Sequence, residues 1–448
     1  MLFTKNLSRR GFLQVASLAL AEASLSACVA IRPSAVPVAA AQATATAAPI
    51  PSAEINITLS SWYITPSFRD LVSQFTDNHP NIKIQLIEGQ YLDLHPYHDK
   101  LRLSLAAGTV DDIVAIEDPY LAQFADSGGL ADITEAMVPY KDKVVPYKWR
   151  LGVYKGKNYA LPGDCSPCML YYRSDIFEQY GVDPTAIETY DDWLTAGLKL
   201  KEATDGKVKL WGLFKDQSYP PFINWLWQQG GGLYDLDETK VTIDQPVAIN
   251  TLEFMKKLWD SGTVYQNPSW DDIFSDWGNG TIVCFPDAVW IAGMIKFAAI
   301  GTSGKWKVTR VPAWTKGGAR AFTNGGSQFA IPAQSKHIAE SFGFLEFAQL
   351  TQAGQETVSV MSDTAPGLIN AENWPLLSEP VDFYGGQTAF KLYAEVNAEV
   401  QPYVFGKGWQ EATEIIGRQM KDMYDGKIAP KEALQAAANE IREKQKLD

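Results

Sequence analysis

The residues best suited to covalent or metal chemistry are few. The chain has four cysteines and four histidines in 448 residues. Cys165-Ser166-Pro167-Cys168 is its one close cysteine pair. In an oxidising compartment Cys165 and Cys168 are expected to form a local disulfide, whose small loop adds stiffness more than global stability. A thioredoxin-type centre wants Cys-x-x-Cys opening a helix after a strand. Here Pro167 lies inside the motif, and the β-like Met169-Leu170-Tyr171-Tyr172 follows it. Zinc would need two further ligands at suitable spacing, and no such pair is visible. Cys284, within Ile282-Val283-Cys284-Phe285, reads as a buried thiol. His95-Pro96-Tyr97-His98 has no third ligand nearby and reads as two exposed loop histidines. No Gly-x-Ser-x-Gly elbow, Walker loop or zinc-protease motif occurs. Carboxylates are too numerous for spacing alone to single out a glycosidase pair. The expectation is a protein with no catalytic residue, metal or cofactor.

Recognition chemistry is better represented. There are 14 Trp, 19 Tyr and 20 Phe, more than a core requires. Aromatic faces ringed by carboxylates and amides suit a sugar, with its apolar C–H faces and rim of hydroxyls. Trp62 follows a strand, the end at which open α/β sheets bind ligands, and Trp290 follows a strand and loop. Both are candidate ligand contacts. Trp225 and Trp227 share a helix two residues apart, so at most one of them faces a ligand. Trp374 and Trp409 stand between packing and contact. Glu88 follows the second strand, and Glu117 and Asp118 the third; surface solvation is the competing role for each. Asn324, Gly325 and Gly326 offer amide or backbone hydrogen bonds, or a turn alone.

The elements that must position these groups show in the hydrophobic pattern. Ile55, Ile57 and Leu59 alternate with polar residues as a strand. Phe68, Leu71, Val72 and Phe75 then repeat at helical spacing after Pro66. Ile82, Ile84 and Leu86 make a second strand; Tyr97, Leu101 and Leu105 make a second helical stripe ended by Gly108. Ile113-Val114-Ala115-Ile116 is the apolar run of a buried strand. This β-α-β-α-β order predicts an open parallel sheet. Further helices are expected at 189–201, where Thr189 and Asp192 are spaced as a capping box, at 246–260, and in two C-terminal stretches from Trp409 and Pro430.

The N-terminus carries targeting information. Ser8-Arg9-Arg10-Gly11-Phe12-Leu13 resembles a twin-arginine export signal, and Leu25-Ser26-Ala27-Cys28 resembles a bacterial lipobox. The signal peptide is expected over 1–27, with lipidation at Cys28. The segment 28–53, rich in Ala and Pro, is expected to be a disordered tether. The apolar run between the two motifs is too short and too polar to span a membrane. The chain's net charge is −13; the signal carries a net +2, so its removal leaves −15. That balance argues against nucleic acid or an anionic membrane face as partner.

The segment order resembles the family 1 extracellular solute-binding proteins of ABC importers, the group that includes maltose-binding protein. The residues carrying it are Phe75-Thr76-Asp77-Asn78-His79-Pro80-Asn81-Ile82, Ala106-Ala107-Gly108-Thr109-Val110-Asp111-Asp112-Ile113, Gly156-Lys157-Asn158-Tyr159-Ala160-Leu161-Pro162 and Leu170-Tyr171-Tyr172-Arg173-Ser174-Asp175. Val110 stands where Pro is usual and Arg173 where Asn is frequent. The resemblance implies a two-lobed α/β periplasmic-binding-protein fold of type II, each lobe a mostly parallel sheet flanked by helices. Lobe one is expected at 54–162 and 288–325, lobe two at 169–283 and 329–448, with hinges near 163–168, 284–287 and 326–328. Asp164 and Ser166 then fall on the first hinge, inside the cleft. The implied function is capture of a sugar and its delivery to permease subunits by an exported, lipid-anchored monomer. A polyamine, peptide or glycerol phosphate as ligand is the alternative within the fold. A glycoside-active or Cys-x-x-Cys redox enzyme is the alternative outside it.

Overall fold

The computed structural model describes residues 54–448 apart from 63, 90–93, 216–218 and 267. The expected signal segment, Cys28 and the tether lie outside the described residues. Strands β1 (Ile55–Ser61), β2 (Ile82–Glu88) and β3 (Ile113–Glu117) form a parallel group, β1 pairing Ile55 with Ile82 and Leu59 with Ile113. The helices Pro66–Asn78 and Leu94–Ala107 connect them in sequence. The apolar run of β3 follows from burial on both faces. Ile113 and Ala115 join a core with Phe68, Leu71 and Phe75 on one side, and Val114 and Ile116 pack with Tyr97 and Leu101 on the other.

Two later strands complete this sheet. β6 (Ala160–Asp164) and β12 (Ser327–Ala330) extend it to the order β2-β1-β3-β12-β6, with β12 antiparallel to both neighbours. The hairpin β4 (Val153–Tyr154) and β5 (Lys157–Asn158) stands apart. A second sheet is built on β7 (Cys168–Arg173), flanked by β10 (Cys284–Ala288) and β11 (Trp306–Arg310), both antiparallel to it. The parallel pair β8 (Trp211–Leu213) and β9 (Val264–Gln266) lies beside β10. The second lobe's three-stranded sheet is therefore antiparallel, against the parallel arrangement expected. Fully buried apolar strands such as Met169–Tyr172 carry no directional signal, because both faces are covered either way.

The lobe boundaries also need correction. β11 and the apolar face of the helix Ile291–Ala298 belong to the larger core of the second sheet, so 288–325 is not part of lobe one. Conversely β12 and the helices Ile338–Gln349 and Gln352–Ser362 pack on the first lobe, where Phe344, Leu345 and Val358 join the core of Phe75. Residues 284–287 lie inside β10, not at a crossing. The chain passes between the sheets at 165–167 and between β11 and β12. It passes again after Ser362, where Ala365 bridges to Cys165 and residues from Ala371 onward rejoin the larger core.

Local signals set the helix ends. The capping box of Thr189 and Asp192 starts the helix Tyr190–Ala203, and Gly262 in the left-handed region ends Pro246–Ser261. The helices Trp409–Tyr424 and Pro430–Gln445 close the chain. Among the described residues no helix is long and apolar enough to cross a membrane.

Candidate functional site

β1, β2, β3 and β6 all run the same way, so their last residues meet one edge of the first sheet. Glu88, Glu117 and Asp164 are those last residues for β2, β3 and β6. Trp62 follows β1, half-buried with its ring edge-on to Tyr97 at 5.5 Å. The carboxyl edge of an open sheet is where its loops diverge and leave room for a ligand.

At the centre of this edge lies a buried ion pair. Asp118 opens the short turn after β3, and Lys148 comes from the helix Pro146–Leu151. The Lys148 ammonium donates to both Asp118 carboxylate oxygens at 2.8 and 2.9 Å and to the Ser327 carbonyl at 2.9 Å. Both side chains have 0% exposure, so all three ammonium donors need protein acceptors, and these three supply them. Burial pushes the Asp118 carboxyl up to about 6, opposed by Lys148. Burial also works to lower the Lys148 ammonium, but Asp118, Cys165 and Asp164 raise it overall. At neutral pH the pair is charged on both sides. Gly326 lies against it: its φ of +118° is outside the range of side-chain-bearing residues, and a Cβ there would stand 2.7 Å from Asp118 Oδ2 and 3.0 Å from Lys148 Nζ.

Around this pair runs a belt of hydrogen bonds that crosses between the sheets. Asp287, in β10, accepts from the Asn324 side-chain amide at 2.7 Å. The Asn324 backbone N–H donates to the Ser166 carbonyl at 3.2 Å, and the Ser166 hydroxyl donates to Asp164 at 3.0 Å. The Ser327 hydroxyl donates to the other Asp164 oxygen. Trp290 ties in through its indole N–H, which donates to the Asn324 carbonyl at 3.0 Å. Glu117, Asp164, Asp287, Trp290, Asn324, Gly325 and Gly326 are each half-buried. Glu117 keeps an opening to solvent yet is closely ringed by protein. Burial, then the charges of Asp118 and Asp164, push it up to about 8. Asp287 is pushed up to about 6 by burial, against the hydrogen bond from Asn324. Burial, and after it the Glu117 charge, raises the phenol of Tyr219, at the start of the helix Tyr219–Gln228 in the other lobe.

The remaining candidates separate from this group. Glu88 is exposed and pairs with Arg69 at 3.4 Å, the surface role that competed with ligand contact. Trp225 is 1% exposed among Tyr190, Trp211, Phe254 and Trp314, a core residue with no free face. Trp227 and Trp409 are also buried; Trp227 stacks on Tyr403 at 3.9 Å and on Trp409 at 5.9 Å. Trp374 packs half-buried on the larger core after a short turn. His98 is a buried helix residue stacked on Tyr120 at 3.9 Å, not an exposed loop histidine; its Nε2 accepts from the Glu117 N–H. Among the described residues no group could hold a metal ion.

The expected disulfide is absent: Cys165 and Cys168 are free, buried thiols. The segment between the sheets is extended, with Cys165 bridged to Ala365 and Cys168 already in β7. Three residues of extended chain separate Cα atoms by about 10 Å and turn the side chains to opposite faces, beyond the reach of a disulfide. Burial pushes the Cys165 thiol up to about 11. Cys284 is likewise a free buried thiol, as its apolar surroundings implied.

Comparison with known proteins agrees with this arrangement. Residues 61–355 match the family described as bacterial extracellular solute-binding protein. The chain belongs to that family. An arabinooligosaccharide-binding protein of Bacillus subtilis is 26% identical over 395 residues, covering 84% of this chain and 88% of the relative. A lactose-binding protein of Rhizobium radiobacter is 26% identical over 368 residues, covering 77% and 83%. The galacto-N-biose-/lacto-N-biose I-binding protein of the ABC transporter from Bifidobacterium longum, solved with lacto-N-biose, superposes with a TM-score of 0.74 at 22% identity. It is covered in full, by 89% of this chain, and shares the two-lobed fold.

For a solute-binding protein the most informative residues are ones that sequence reasoning passed over. Asp287 carried a signal, a carboxylate at the end of the apolar run 282–285. Lys148, Ser327 and Tyr219 carried none, since nothing local tells a buried lysine from a surface one.

Proposed function

We propose that the chain is the substrate-binding component of an ABC importer, taking a sugar or oligosaccharide between its lobes and handing it to a membrane permease. One observation carries this: the belt Asp287–Asn324–Ser166–Asp164–Ser327 runs from one sheet to the other, with the half-buried Trp290 hydrogen-bonded to it. Carboxylates and amides match a rim of hydroxyls, and an indole face matches a sugar's C–H face. Trp62 at the same sheet edge supplies a second ring. The names of the arabinooligosaccharide- and lactose-binding relatives point the same way. In this reading the crossings at 165–167, between β11 and β12, and near 363–370 serve as hinges. Ligand bound to both walls favours a closed form. The twin-arginine signal and Cys28 lipid anchor complete the reading, holding the receptor at the outer face of the membrane.

The test is thermal unfolding and calorimetry of the purified protein with arabinotriose, lactose and lacto-N-biose, beside spermidine, a dipeptide and glycerol 3-phosphate. At a hundredfold excess over Kd a ligand adds about 2.7 kcal/mol, a readily measured rise in Tm. At least one neutral saccharide should give it, without turnover. Stabilisation by a charged solute alone would remove the sugar from the reading. For the anchor, Cys28→Ala should release the protein from the membrane fraction of the producing cell.

A further inference from the structure

The charges around the candidate site carry a consequence for which saccharides fit it. Four carboxylates converge there: Glu117 and Asp118 from the end of β3, Asp164 from β6 and Asp287 from β10. Among the described residues the cation that stands with them is Lys148, enclosed at 0% exposure with its ammonium held by Asp118 and the Ser327 carbonyl. A ligand cannot reach it without breaking a buried pair. Arg69, at the same sheet edge, pairs with Glu88. Among the described residues the groups left open to a ligand are therefore the Asp164 and Asp287 carboxylates, the Glu117 carboxyl, the Asn324 amide and the Trp290 ring.

Resting on the reading of the chain as a saccharide receptor, we propose that the cleft is a charge sieve that takes uncharged saccharides and rejects those bearing a carboxylate. Asp164 and Asp287 are its specificity-determining residues. The physical basis is asymmetric. A hydroxyl donates to Asp164 or Asp287 and is held, whereas a ligand carboxylate in the same position has no proton to give and meets like charge. Like charges a few ångströms apart in a partly desolvated site repel strongly, and salt screens them poorly. Asp164 already accepts from the Ser166 and Ser327 hydroxyls, which fixes its oxygens in place rather than letting them swing away. Asp118 contributes little net charge because Lys148 neutralises it, and Glu117 holds its proton to about 8, so the open charges at Asp164 and Asp287 decide at pH 7.5.

Matched probes test this on the full chain: lactose against lactose oxidised to the carboxylate at galactose C6, and α-1,4-galactobiose against digalacturonate, with arabinotriose as a further neutral saccharide. Calorimetry at pH 7.5 should show the neutral member of at least one pair binding about thirtyfold or more tighter than its acid, a gap of roughly 2 kcal/mol. In the double variant Asp164→Asn, Asp287→Asn the gap should shrink at least about tenfold, through tighter binding of the acid, with unfolding used to show that the fold persists. Equal affinity of an acid and its neutral partner in the natural chain overturns the sieve but leaves the saccharide reading standing. A gap that survives unchanged in the double variant overturns the assignment to these two residues. Failure of every neutral saccharide to bind overturns the saccharide reading and the sieve with it.

Discussion

At the scale of single residues, the site turns on how the half-buried Glu117 and the enclosed Lys148 keep their protons. An unfolded glutamate loses its proton near 4.5, whereas folded Glu117 holds it to about 8. Between those values the folded chain carries one more proton than the unfolded one, so stability falls as pH rises through the window, and the loss is complete above 8. Glu117→Gln removes that dependence. Urea unfolding at pH 5 and pH 9 should show the natural chain losing on the order of 4 kcal/mol more than the variant across the interval. Equal losses would mean that Glu117 ionises freely in the fold. Lys148 gives the complementary case. Lys148→Met leaves Asp118 buried without its counter-ion and should cost about 3–5 kcal/mol, much of which Asp118→Asn in the same chain restores. A double variant no more stable than Lys148→Met alone would show that the pair is not what the lysine serves.

At the scale of elements, the close approach at the start of β12 is the most constrained feature. Gly326→Ala meets both a φ of +118° and the Asp118–Lys148 pair, whereas at Gly325, with φ +79°, the nearest heavy atom is 3.6 Å away. Gly326→Ala should therefore destabilise by more than ~2 kcal/mol and Gly325→Ala by ~1 kcal/mol, measured by chemical unfolding. The same local view explains what the sequence could and could not reveal. Ile55–Leu59, Phe68–Phe75 and Thr189–Lys201 announced themselves because period and caps are local properties, and they formed nearly as read. The strands β7, β10 and β11 were visible as apolar runs, but their antiparallel pairing was not, since burial on both faces erases the alternation that direction would leave. The carboxylates at strand ends were legible because strand ends are local. Lys148 and Ser327 were not, because their roles arise from partners 30 and 163 residues away. The Cys165–Cys168 pairing failed for a local reason that spacing hides: the link is extended, not turned. Thiol titration under non-reducing conditions should find Cys165, Cys168 and Cys284 unreactive in the native state and reactive after denaturation. A mature mass two hydrogens short would instead establish the disulfide.

At the scale of the molecule, the belt matters because its members come from different lobes. A ligand shifts an equilibrium between open and closed forms only by its differential affinity for the two. A saccharide resting on the first sheet's edge alone, against Trp62 and Asp164, gains nothing from closure. One that also lies on Trp290 and Asp287 of the second lobe gains contacts that exist only when the lobes meet. Trp290→Ala should thus do more than weaken binding. It should lower affinity for the neutral saccharide by about ten- to a hundredfold, the range typical of a buried aromatic anchor. Small-angle scattering at saturating saccharide should show the natural chain compacting, and Trp290→Ala compacting less or not at all. Trp225→Ala is the control: its ring is enclosed among Tyr190, Trp211 and Trp314, so it should lower Tm through the cavity it leaves and spare compaction at saturation. If Trp290→Ala binds weakly yet compacts fully, the second lobe closes on some other contact. Tyr219, the residue reaching toward Glu117 from that lobe, is then the one to remove next.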